Sequence, residues 1–140
     1  MLEENRLPNS LALVLSARVL FTAVFILSGV THFTNIPYYV ELMPVEIPGS
    51  VFLVLLSGVV ELAGALMILF NWRPRLGGWL LVMFLIPVTV LVHGYEMLYA
   101  EEEAMRLMQQ AHFLKGLALI GAALLITQVG VTQRAAPEQS

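Results

Sequence analysis

The sequence predicts an all-α integral membrane protein, a bundle of four spanning helices, and two observations carry that prediction. Of its 140 residues 59% are hydrophobic and 12% charged, with a mean hydropathy of +0.83, whereas soluble domains carry about 25% charged residues. The apolar residues also gather into four runs, each near the length of about 20 residues that crosses a hydrocarbon layer of roughly 30 Å. Four such runs use most of the chain and leave room for a single domain. The expected organisation is a cytoplasmic segment over 1–9, a membrane domain over 10–131 and a flexible cytoplasmic tail over 132–140.

The first run, 11–32, follows Pro8, Asn9 and Ser10, a suitable helix start, and is interrupted only by Arg18. No small-residue cleavage signal follows it, so it reads as a retained span. Pro37, Pro44 and Pro48 then mark a structured loop before the second run, 51–70. The third run, 76–97, contains Pro87, which spanning helices tolerate when neighbours satisfy the freed carbonyl, and predicts a kink near Ile86. The fourth, 107–129, is rich in Leu, Ala and Gly.

Flanking charge sets the expected orientation. Arg6, Arg73, Arg75 and Arg134 fall on one side of the four spans, and Glu41, Glu46 and Glu101 to Glu103 on the other, with Arg106 the exception. The positive-inside rule then places both termini of this multi-pass protein in the cytoplasm. Trp72 and Trp79 flank the inner interface, Tyr95 and Tyr99 the outer.

Composition excludes several functions. With no cysteine the chain has neither disulfides nor thiolate chemistry. A net charge of -3 without a basic run excludes nucleic acid as a partner. Gly-rich nucleotide loops, paired zinc-site histidines on a helix and a nucleophilic triad are all absent from the sequence, which argues against independent catalysis.

Ionisable groups within spans face the bundle interior and seek partners. Arg18 and Glu61 lie at similar expected depths, roughly 10 to 14 Å from the inner surface at 1.5 Å per residue, and Lys115 approaches from the outer end of the fourth span. One reading is an ion network of Arg18, Glu61 and Lys115 that fixes helix register; the other gives Glu61 a ligand head group or a proton to relay. The face of Arg18 continues through Thr22, Phe25, Gly29 and His32, and Glu61 is surrounded by Ser50, Ser57, Gly58, Gly64 and Ala65, small residues that let helices approach closely. A second set gathers near the outer ends of the spans: His32, His93, Glu96 and His112. It is a candidate ligand pocket, for a quinone-like or lipid head group; metal or haem ligation and a plain polar interface are the alternatives, and no metal is assigned.

These residues give the chain a resemblance to the DoxX family of small four-helix bacterial membrane proteins. The matching features are Arg18, the stretch Ser28 to Phe33, Pro37, Tyr38, Met43, Pro44 and Pro48, then Leu56 to Glu61 with Gly64, the Arg73 to Arg75 turn, and Phe113 to Gly121. The resemblance extends over about residues 15 to 128. Gly116 departs from it, since many relatives carry Asn there, and so does the region of His93 and Gly94. Family members include a subunit of a thiosulfate:quinone oxidoreductase and proteins linked to oxidative-stress complexes. The resemblance therefore implies an accessory membrane subunit associated with a redox, quinone-linked complex, without a cofactor of its own. The expected partners are the bilayer and either a membrane protein or further copies of the chain. A purely structural helix-packing subunit and a small-solute or proton transporter are the alternative readings.

Overall fold

A computed structural model of the chain describes residues 10–43 and 46–128, and all elements among them are helical. The expected terminal segments 1–9 and 132–140, with Arg6 and Arg134, lie outside the described residues. Helix α1 (Leu11–Thr34) begins where the Ser10 hydroxyl accepts the Leu13 N–H at 3.4 Å, a standard N-cap. In the Pro-rich connection a short helix α2 (Ile36–Glu41) carries Pro37 in its first turn, where a missing N–H costs nothing. Helix α3 (Ser50–Leu69) starts after Gly49, which takes a φ of 80°.

A four-residue turn, 70–73, then reverses the chain. It needs left-handed backbone at Asn71 (φ 56°) and Arg73 (φ 49°), and Pro74 opens the next helix. That third span, Pro74–Tyr99, is one rod of 26 residues in three parts: α4 (Pro74–Pro87), a π-helical segment (Val88–Gly94) and α5 (Tyr95–Tyr99). Proline removes a ladder donor and crowds the carbonyl four residues back. The distortion expected near Ile86 appears as this widened stretch directly after Pro87. Helix α6 (Glu103–Gln128) starts four residues before the apolar run at 107, because Glu103 is well placed in a helix first turn, where backbone N–H groups favour negative charge.

All four long helices are long and apolar enough to cross a membrane. Leu13, Leu20 and Leu27, seven residues apart on the outer face of α1, are 72%, 76% and 71% exposed. Such a continuous apolar stripe suits hydrocarbon and not water.

The helices pack in the order α1, α3, α4, α6, each against the next. Interhelical bonds fix their antiparallel sense: Arg18 at the start of α1 meets Asn71 after α3, and Arg75 at the start of α4 donates to the Thr127 carbonyl at the end of α6. Phe25, Ala65, Ile68, Leu81, Val82, Leu85 and Ala123 form the apolar core. Between α3 and α4 the backbones come so close that a Cβ on Gly77 would lie 2.6 Å from the Gly64 carbonyl oxygen. Among the described residues α1 and α6 make no comparable backbone contact, so the bundle is open on that side. Gly77→Val should push α3 from α4 and destabilise the protein by about 1–3 kcal/mol, read as a lower unfolding temperature in detergent; unchanged stability would contradict this packing.

Candidate functional site: an intramembrane cavity

The open side between α1 and α6 holds a cavity of about 370 Å³, within the range of small-molecule pockets. Its walls include Ser28 and His32 from α1, Ser57 and Glu61 from α3, Thr89 and His93 from the π-helical segment, and His112, Lys115 and Gly116 from α6. Tyr38 and Tyr39 of α2 lie across one end. The Tyr39 ring packs on His32 with centroids 3.9 Å apart, and its hydroxyl meets Thr31 Oγ1 at 2.5 Å. Helix α2 is thus pinned as a cover.

Glu61 is 1% exposed and His32 4%, and hydrogen-bond logic constrains the proton between them. Ser57 Oγ donates to the Val54 carbonyl at 2.8 Å, which leaves that oxygen to accept from His32 Nδ1 at 2.8 Å; the Val54 carbonyl is 3.1 Å from the same nitrogen. His32 Nδ1 therefore carries a hydrogen. Its Nε2 faces Glu61 Oε2 at 3.6 Å. A lone pair aimed at a carboxylate would leave a buried charge uncompensated, so the pair holds one further proton, as imidazolium with carboxylate or as imidazole with carboxylic acid. Both forms carry no net charge. Ser28 Oγ adds a long bond to the same carboxyl oxygen, at 3.4 Å.

The expected ion network is corrected here. Arg18 Nη2 donates to Asn71 Oδ1 at 2.8 Å and is not brought to Glu61. Asn71 lies ten residues beyond Glu61, about 15 Å along the helix axis. The guanidinium follows its long stem back toward the helix ends, where water is closer. Lys115 is exposed at the cavity rim. The buried face of α6 runs through Gln109, Gly116, Ala123 and Thr127, one residue round from Lys115. Glu61 instead takes its partner from the second set, His32.

That second set assembles in part. His32, His93 and His112 share the cavity, while Glu96 is half-buried and outside its lining. His93 Nδ1 pairs with Gln109 Oε1 at 2.7 Å, and the His93 and His112 rings stack at 5.2 Å. Among the described residues no three His, Asp or Glu side chains converge as metal ligands would. Sequence reasoning missed Ser28, Tyr39 and Thr89. Ser28 was within reach, one helical turn before His32; Tyr39 needed α2, and Thr89 the π-helical segment.

A membrane-spanning helix bundle with a largely apolar cavity, carrying a few buried polar groups, between its first and last spans is the class of protein these features define. The DoxX family profile matches residues 13–94, more than half of the chain, and the chain belongs to that family. The matched region takes in Ser28, His32, Glu61, Thr89 and His93; His112 and Lys115 lie beyond it. No curated protein and no solved structure matches the chain.

Coupling measurements separate the observed pairs from the expected triad. His32→Ala strands the buried Glu61 and should cost roughly 3 kcal/mol or more, with strong non-additivity against Glu61→Gln. Arg18→Ala should couple to Asn71→Ala by about 0.5 kcal/mol and to Glu61→Gln hardly at all. Unfolding of the double variants in detergent checks both; strong coupling between Arg18 and Glu61 would refute the assignment.

Proposed function

We propose that the chain is an accessory membrane subunit of a redox complex, and that its cavity receives the head group of a quinone-like amphiphile. One observation carries this reading: a largely apolar cavity of about 370 Å³, with a buried carboxyl–imidazole pair in its wall, lies on the open side of a membrane-spanning bundle. An isoprenoid or alkyl tail can remain among the lipid chains while the head group leaves them between α1 and α6. Inside, the head group meets groups that donate and accept protons: the His32–Glu61 pair, His112 and the Lys115 ammonium. The electrons come from a partner subunit, because the sequence has neither cysteine nor a cofactor-binding motif.

The surrounding charges support an orientation with both termini in the cytoplasm, and the DoxX resemblance implies a bacterial inner membrane. Arg73 and Arg75 flank the α3–α4 turn, and Glu101, Glu102 and Glu103 lie at the opposite end. The chain belongs to the DoxX family, and a quinone ligand fits the quinone-linked role that the resemblance implies.

Mild detergent purification, followed by lipid extraction and an absorption spectrum, tests the reading. Quinone is expected to co-purify in near-stoichiometric amount with the wild type. It should fall about tenfold in Glu61→Leu, the effect of losing one hydrogen bond of about 1.4 kcal/mol. A quinone-free, solitary wild-type protein would overturn the proposal.

A further inference from the structure

Three threonines are buried, and two of them behave as helical threonines commonly do. Thr22 Oγ1 donates to the Arg18 carbonyl at 2.7 Å, and Thr127 Oγ1 to the Leu124 carbonyl at 2.7 Å. Bonding back to the preceding turn is how a hydroxyl is normally accommodated within a helix. Thr89 is 1% exposed and does not do this. Its Oγ1 is the buried side-chain polar atom without a hydrogen-bond partner among the described residues. It stands two residues after Pro87, in the π-helical segment.

The hydroxyl is held against α6 at one particular point. A Cβ on Gly116 would lie 2.3 Å from Thr89 Oγ1 and 2.8 Å from its methyl carbon. Any larger residue at 116 would occupy the place of the hydroxyl. Thr89 and Gly116 both line the cavity, so the hydroxyl stands in the cavity wall at the place that the missing Gly116 side chain leaves free. Buried, unpartnered hydroxyls are uncommon in native proteins, and one set in a cavity wall is a hydrogen bond in waiting.

We propose that Thr89 anchors the ligand in this cavity, donating its hydroxyl hydrogen to a carbonyl oxygen of a neutral ring head group, and that Gly116 keeps the place of that bond open. The proposal rests on the reading of the cavity as a head-group site. The buried His32–Glu61 wall carries no net charge in either of its proton arrangements, and the Lys115 ammonium is exposed at the rim. The buried part of the cavity, where Thr89 stands, therefore suits a neutral ring, while a phosphate would have to be held at the rim. A ring carbonyl supplies the acceptor that Thr89 lacks.

Thermal unfolding of the full chain in detergent, with and without a short-chain 1,4-benzoquinone, tests the anchor. Replacing an unpartnered buried hydroxyl by a methyl of the same shape is close to neutral or stabilising. Thr89→Val should therefore unfold at or above the wild-type temperature without quinone, yet bind quinone about tenfold more weakly. Thr89→Ser should bind nearly as the wild type does, and Gly116→Ala should weaken binding as Thr89→Val does. If Thr89→Val binds quinone as tightly as the wild type, the anchor is wrong while the cavity reading stands. A loss of stability in Thr89→Val without quinone, with unchanged binding, would make Thr89 a packing residue. A wild type that fails to bind the quinone at all overturns both readings. Stabilisation by phosphatidylglycerol, and not by quinone, that disappears in Thr89→Val would overturn the choice of a neutral ring.

Discussion

The close contact of α1 with α3 is the constraint on which the rest of the molecule depends. A Cβ on Gly58 would lie 2.7 Å from the Cβ of His32, and one on Gly29 would lie 2.7 Å from Leu62 Cγ. Within a bilayer the hydrophobic effect does not drive helices together, and association relies on close packing and on polar contacts between them. Two glycines on facing helices provide the first, and the second follows from it. Only at this separation does His32 reach Ser57, the Val54 carbonyl and Glu61 at once. A carboxyl group in the middle of a span is tolerated because its neutralising partner arrives with the backbone contact.

The same economy of contact shapes the far side of the bundle. Helices α3 and α4 meet through Gly64 and Gly77, and α4 meets α6 where Gly78 faces Ala123 and Thr127. Three tight seams in succession leave the fourth, between α1 and α6, without such a contact, and the polar side chains of all four spans drain toward it. Helix α2 covers one end of that space through the bond of Tyr39 to Thr31 and its stacking on His32. The cavity is thus a consequence of where the small residues are, as much as of where the polar ones are.

The four spans and their facing stripes were legible in the sequence because they depend on local properties, length, hydropathy and helical period. Thr22, Phe25, Gly29 and His32 are the buried residues of α1, and Gly58, Glu61, Gly64 and Ala65 are among those of α3. Partnerships between charges were not legible, because a long side chain can place its charge a turn or more from its own Cα. Arg18 and Glu61 start at comparable depths in the chain, yet the guanidinium runs back to Asn71 and the carboxyl is met by His32. Lys115 shows a related effect: one residue of helical rotation separates it from the buried Gly116. Helix α2 escaped notice because three prolines within twelve residues, Pro37, Pro44 and Pro48, read as a loop, although Pro37 sits in a first helical turn that accommodates it.

The widened backbone from Val88 to Gly94 has a further consequence for how this span can vary. A π turn takes in more residues than an α turn without lengthening the rod in proportion, so it behaves like an insertion absorbed into the helix. Deleting one residue there would let the regular ladder close again and leave the helix on either side facing as it does, whereas a deletion in the regular part of the span would rotate everything downstream by about 100°. The packing of Gly94 against Phe113 and the bond of His93 to Gln109 then depend on the widened stretch only through its own residues. Length in this short stretch is therefore less restrained than elsewhere in the span, and homologous chains should show gaps here more readily than in α4.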